Sequence, residues 1–88
     1  MSEKLDATDL RLRLILIVEK LAKASSTGLA THGEIVAEMM VVEGSTHGSG
    51  KRLLNRVWHR GWLERPFYGC YRLAAEAYEI LENAGIEV

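Results

Sequence analysis

Four side chains able to make several hydrogen bonds lie close together in the middle of the chain. Lys51, Arg52, Asn55 and Arg56 have the three- and four-residue spacings that place side chains on neighbouring sides of one helix. Lysine and arginine can donate to O6 and N7 of guanine, and asparagine can form a paired hydrogen bond with adenine. The four residues are therefore candidates for contacts with the edges of nucleic-acid bases.

Polar and basic residues on both sides of this group could hold phosphates. Hydroxyl and imidazole side chains come before it, and two arginines follow it. Backbone N–H groups at a helix start also attract anions. The candidate phosphate contacts are Ser45, Thr46, His47, Ser49, Arg65 and Arg72.

The charge distribution agrees with this interpretation, although the net charge of the 88 residues is only −1. Residues 45–73 carry six basic residues and one acidic residue, whereas residues 1–44 carry five basic and seven acidic residues. The segment after residue 73 has four glutamates and no basic residue. A basic middle between acidic ends is typical of a one-sided electropositive surface, and it is about as often only a solvated helix face.

Catalysis and metal binding find little support in the residue pattern. Residues 44–52 resemble a phosphate-binding loop only superficially, because Ser45 stands where that loop needs glycine and Arg52 where it needs serine or threonine. His32, His47, His59 and Cys70 do not have the spacing of a zinc site. We predict a protein that is not an enzyme and holds no metal or cofactor.

Apolar periodicity and capping residues predict four helices, at about residues 8–24, 32–42, 49–60 and 75–83. Thr8 or Asp6 is the expected N-cap of the first helix, and Ser45 or Ser49 that of the third. Thr31 and Glu34 form a capping-box pattern at the start of the second helix. The core stripe of the first helix is predicted to contain Leu10, Leu14, Ile17, Val18 and Leu21.

The first helix carries more apolar residues than one small core requires. Leu12, Ile15 and Leu16 widen its apolar stripe, so the helix is either sandwiched inside the domain or part of a dimer interface. The last helix offers a second apolar surface. Its candidate dimer residues are Tyr78, Ile80 and Leu81.

The pattern changes from helical to alternating after Gly61. Residues 62–65 and 70–73 predict two short strands, joined by a turn at residues 66–69 that contains proline and glycine. Tyr71 and Leu73 are expected to point inward and Arg72 outward. Trp58 and Trp62 are expected to pack in the core and against the wing, whereas Tyr68, at the turn with Phe67, is the better candidate for stacking or for contacting a partner. The predicted fold is mostly α with a small β-hairpin.

The stretch SGKRLLNRVWHRGWLERP, residues 49–66, resembles the winged helix-turn-helix of MarR- or PadR-type regulators. Residues 71–73, followed by Glu76 and Tyr78, are similar to the end of the wing in those proteins. Ala74 and Ala77 depart from the pattern, which usually has threonine and glycine there. The resemblance covers roughly residues 29–81 and implies a single winged helix-turn-helix domain over residues 1–88.

The resemblance implies that residues 49–60 form a recognition helix and residues 62–73 a wing. It further implies a transcriptional regulator that binds double-stranded DNA sequence-specifically as a homodimer. The alternative is a winged helix that binds another protein within a larger complex, because one fold supports many functions.

The cysteine content indicates the redox environment of the protein. The single cysteine, Cys70, cannot form a disulfide within the chain, which favours a reducing cytoplasmic environment. Acidic residues near the N-terminus argue against a secretory signal. The longest apolar run, residues 14–18, is far too short to cross a membrane.

Overall fold

The computed structural model describes residues 4–88, so residues 1–3 of the predicted domain lie outside the described part of the chain. The described residues form four helices and three short strands. In chain order they are α1 (Leu10–Ala24), β1 (Ala30–Thr31), α2 (His32–Glu43), α3 (His47–His59), β2 (Leu63–Phe67), β3 (Cys70–Leu73) and α4 (Ala75–Asn83). The predicted four helices and hairpin are present, with ends shifted by up to two residues.

Helix α1 passes through the centre of the domain. Its N-cap is Asp9, whose carboxylate accepts from the backbone N–H of Arg11 at 2.9 Å, and not Thr8 or Asp6 as predicted. Leu12 and Ile15 are fully buried in the core together with Leu14. Leu10, which the sequence placed in the core stripe, is 47% exposed. The sandwiched-helix alternative therefore accounts for Leu12 and Ile15, whereas Leu16 is half-buried.

Helices α2 and α3 follow one another across a short break at Gly44. The predicted capping box is present, because Thr31 Oγ1 accepts from the Glu34 N–H and the Glu34 carboxylate accepts from the Thr31 N–H. The backbone N–H and the hydroxyl of Thr31 both donate to the Glu34 carboxylate, and these two bonds lower the pKa of Glu34. Thr46, not Ser45 or Ser49, caps α3 by accepting from the Ser49 N–H.

The two helices approach each other closely at Gly50. This glycine is buried, and a Cβ atom there would lie 3.4 Å from Val36 Cγ1 of α2. At that distance a Cβ would make ordinary van der Waals contact with Val36, so α2 and α3 are closely packed at Gly50. The sequence pattern did not single out this residue.

The strands form one antiparallel sheet in the order β1-β3-β2, with β3 in the middle. Strand β1 was not predicted; it pairs Ala30 with Tyr71 and Thr31 with Cys70. The β2–β3 hairpin turns at Tyr68 and Gly69, and the predicted turn residues Pro66 and Phe67 belong to β2 instead.

The hairpin contains an irregularity beside Pro66. Between the pairs Glu64–Arg72 and Phe67–Cys70, β2 has two residues where β3 has one. This arrangement is a β-bulge, which accommodates proline because one residue leaves the hydrogen-bonded ladder there. Gly69 takes a φ of 75°, which allows the tight turn.

Helix α4 is the last element of the fold, and the burial of its residues contradicts part of the predicted dimer surface. Ile80 and Leu81 are fully buried, as are Leu12 and Ile15, so these four side chains have no surface to offer a second copy.

Tyr78 remains 42% exposed, although its hydroxyl donates to the buried carboxylate of Glu19 at 3.1 Å. Burial, followed by this contact, raises the pKa of Tyr78.

This arrangement is mostly helical with a small three-stranded antiparallel sheet, which is compatible with a winged helix. No helix among residues 4–88 is long and apolar enough to cross a membrane.

Candidate nucleic-acid interface

Helix α3 is amphipathic, and its apolar side anchors it to the domain. Gly50, Leu54 and Val57 are buried, and Leu53 and Trp58 are half-buried against the same core. Anchoring that side leaves the other side of the helix in solvent. The exposed side carries four of the predicted contact residues, Lys51, Arg52, Asn55 and Arg56.

Two of these residues lie beside the hairpin. Lys51 and Asn55 help to line a groove of about 400 Å³ between α3 and the hairpin. We call it the hairpin groove; its other lining residues are His32, Arg65, Tyr68, Gly69 and Tyr71. The groove has basic and aromatic walls, and no acidic residue lines it.

The other two lie on the opposite edge of α3. Arg52 and Arg56 border a groove of about 270 Å³ with Ser45, Ser49, Leu10 and Leu53. The Arg52 guanidinium lies 3.4 Å from Ser49 Oγ. The Arg52 side chain is therefore bent back towards the N-terminus of the helix. The predicted contacts therefore divide between two edges of one helix, with Ser45 and Ser49 beside the arginines.

The charges of α3 are not compensated by nearby acids. Within residues 4–88, no acidic side chain forms an ion pair with Lys51, Arg52 or Arg56. The helix itself contains no acidic residue. Because none of the described acidic side chains neutralises this face, its positive potential extends into solvent and can attract polyanions.

The N-terminus of α3 is open to solvent at two of the predicted phosphate contacts. Thr46 and His47 are both exposed. The Thr46 hydroxyl accepts from the Ser49 N–H at 3.1 Å, and its own proton remains available to donate to a phosphate oxygen. The partial positive charge of the helix start adds to the basic surface.

The two hairpin arginines have different surroundings. The Arg65 guanidinium carbon lies 3.6 Å from the centre of the Trp58 ring and 5.5 Å from that of Tyr68, which places it on the α3 side. Arg72 points to the other face of the hairpin, where its Nε lies 2.7 Å from the Glu64 carboxylate. The structure thus brings Arg65 together with α3 and separates Arg72 from it.

The two tryptophans and Tyr68 are buried or exposed as predicted. Trp62 is buried, and Trp58 is half-buried beneath Arg65. Tyr68 is 93% exposed and Phe67 is 68% exposed, so both rings project from the end of the hairpin.

Sequence reasoning missed His32 as a member of the site. Its backbone N–H donates to the carbonyl of Gly69 at 2.7 Å, which ties the start of α2 to the hairpin turn. The bond exists because β1 pairs with β3, and a two-residue strand leaves no periodic signal in a sequence.

Comparison with models of known protein families, with curated proteins and with solved structures gives no match for this chain. Among residues 4–88, no three histidine, cysteine, aspartate or glutamate side chains cluster in a way that could hold a metal ion.

Proposed function

We propose that this chain is a winged helix-turn-helix protein that binds double-stranded DNA sequence-specifically and regulates transcription. The exposed face of α3 carries the proposal, because it presents Lys51, Arg52, Asn55 and Arg56 with no acidic residue on the helix. These side chains match the donors and acceptors of guanine and adenine in the major groove.

The topology supports this proposal. Helices α2 and α3 are joined by a short break, and the hairpin follows α3 directly. The short strand β1 completes a sheet of order β1-β3-β2, so the hairpin is fixed beside α3. This arrangement would let α3 enter the major groove while the hairpin lies against the neighbouring backbone.

In this proposal the two edges of α3 contact different parts of the DNA. Lys51 and Asn55 contact bases or phosphates on the hairpin side, with Arg65 as an additional phosphate contact. Arg52 and Arg56 contact bases or phosphates on the other side of α3, next to the hydroxyls of Ser45 and Ser49. Arg72 contributes little, because Glu64 compensates its charge.

The proposal is tested by titrating a fluorescent duplex of random sequence at low salt and repeating the titration as salt rises. Lys51, Arg52, Arg56 and Arg65 provide up to four phosphate contacts per copy, so log K should fall against log salt with a slope of up to about −4. Selection of bound sequences from a random pool should then enrich one motif. Absence of binding at low salt would overturn the proposal.

We further propose that the protein acts as a homodimer, because two recognition helices one DNA turn apart would increase affinity. Of the predicted dimer residues, Leu16 and Tyr78 keep accessible surface. Leu16 lines a mainly apolar groove of about 320 Å³ together with Val42 and Ile86. Tyr78 and Ile86 line a second, neighbouring depression. The proposed interface is this surface of Leu16, Val42, Tyr78 and Ile86.

Sedimentation velocity measures the oligomeric state directly. We expect a dimer of about 20 kDa at micromolar concentration, twice the 9.8 kDa of one chain. Leu16→Glu should shift it to a monomer, because a carboxylate in an apolar interface loses its hydration. Val41→Glu is the matched control on a side chain outside that surface. A wild-type monomer would overturn the dimer proposal and leave DNA binding by single copies intact.

A second candidate function, binding to another protein, is favoured by one observation. Met40 and Val41 are neighbouring exposed apolar residues near the end of α2 outside the proposed dimer surface, and Val41 is 81% exposed. Adjacent exposed apolar side chains are typical of contact surfaces. The DNA titration and the selection separate the two candidates, because a module that binds only protein should not enrich a DNA motif.

A further inference from the structure

The end of the hairpin carries a feature that contact with the DNA backbone does not explain. Phe67 and Tyr68 are large rings that face solvent on consecutive residues. A phosphate contact needs a donor or a positive charge, and a phenylalanine ring supplies neither. We call residues 67–69 the hairpin tip.

The hairpin tip is held in place by its surroundings. Phe67 pairs with Cys70 across the turn, and Gly69 accepts a hydrogen bond from the His32 N–H at 2.7 Å. These contacts fix the backbone on both sides of Tyr68. A ring on a fixed backbone loses little conformational entropy when it binds a flat partner.

Cations lie beside the hairpin tip. The Arg65 guanidinium lies 5.5 Å from the Tyr68 ring and 3.6 Å from the Trp58 ring. Lys51 lines the same groove as Tyr68. Rings next to uncompensated cations are the combination that binds unstacked nucleotides, because the ring stacks on the base while the cation holds its phosphate.

We propose that the hairpin tip stacks on an unpaired base next to the duplex that α3 contacts. The preferred ligand is then DNA with a local interruption of base pairing, such as a bulge, and not a perfect duplex. The inference rests on the proposed DNA binding, which positions the duplex. An uninterrupted duplex keeps its bases stacked, so contact with the rings would first require unstacking, whereas a bulge offers an accessible base face.

The test compares two fluorescent duplexes that differ only in a central bulge of three unpaired nucleotides. Wild-type protein should bind the bulged duplex about tenfold more tightly than the paired one. Tyr68→Ala with Phe67→Ala should remove this preference, so that the variant binds both duplexes with about the same affinity. Tyr68→Phe keeps the ring and should keep the preference. Both positions face solvent, so circular dichroism should show intact folds.

A fluorescent base analogue, 2-aminopurine, placed in the bulge reports stacking directly. Its emission should fall when wild-type protein binds and stay constant with the double alanine variant. Equal affinity of wild type for the two duplexes would overturn the inference while leaving DNA binding in place. An equal loss of affinity for both duplexes in the alanine variant would also overturn it. Failure of wild type to bind either duplex would instead overturn the proposed function.

Discussion

Replacing Arg52 and Arg56 together by alanine should weaken binding to duplex DNA by about 100-fold or more at low salt. Both guanidinium groups lie on the exposed face of α3 without an acidic partner among the described residues. Each well-formed contact to a base or phosphate contributes about 1–3 kcal/mol, so two contacts account for that loss. Fluorescence anisotropy with a labelled duplex measures it.

The salt dependence makes this prediction more specific. If both arginines contact phosphates, the slope of log K against log salt should become about 2 smaller in magnitude. If one of them contacts a base, the slope should change by only about 1, and preference among sequences should decline as well. The measurement therefore distinguishes the two kinds of contact.

A control with the same change in net charge is available outside α3. Lys4→Ala with Lys23→Ala also removes two positive charges, at exposed residues that line neither groove beside α3 nor the groove proposed as the dimer surface. We expect this variant to bind within about threefold of wild type, because remote exposed charges are screened by salt. Equal losses in both variants would show that only overall charge matters. Unchanged binding in the arginine variant would contradict the proposed role of α3.

Those parts of the fold that depend on local signals were predictable from the sequence. Thr31 and Glu34 form their capping box within four residues, and α3 ends before Gly61, which has a φ of 84°. The alternation of Tyr71, Arg72 and Leu73 likewise follows from strand geometry alone. In each case the decisive interaction joins neighbours in the chain.

Features that depend on distant contacts were not predictable. Strand β1 exists because Ala30 and Thr31 meet Tyr71 and Cys70, which lie about 40 residues further along the chain. The ion pair of Arg72 depends on strand register, which the bulge beside Pro66 determines. Gly50 is important only because Val36 lies opposite it. None of these partners can be identified from residue spacing.

The candidate site was also only partly predictable from the sequence. The sequence identified Lys51, Arg52, Asn55 and Arg56 as one group, because helical spacing gives their order around α3. It could not assign each residue to an edge, since the edges are defined by the hairpin on one side and by Leu10 on the other. The division between two grooves required the tertiary structure.

A second large effect is expected on stability, for Ile15→Ala in α1. Ile15 is fully buried, so its truncation should lower the free energy of unfolding by about 2–5 kcal/mol. In a domain of this size that corresponds to a fall in Tm of at least about 10 °C, which a thermal melt followed by circular dichroism measures. The neighbouring Leu16→Ala is the matched control. Leu16 is half-buried, so we expect a loss of only about 1 kcal/mol.

The same pair of variants separates core packing from dimer contact. If Ile15 packs only within its own copy, the folded variant keeps the oligomeric state of wild type in sedimentation velocity. Ile15→Val provides a folded sample for that run, because it should cost only about 0.5–1.5 kcal/mol. Leu16→Ala should weaken association instead, since its exposed part belongs to the proposed interface. A dimer disrupted by Ile15→Val but not by Leu16→Ala would contradict both the placement of Ile15 in the core and the proposed interface.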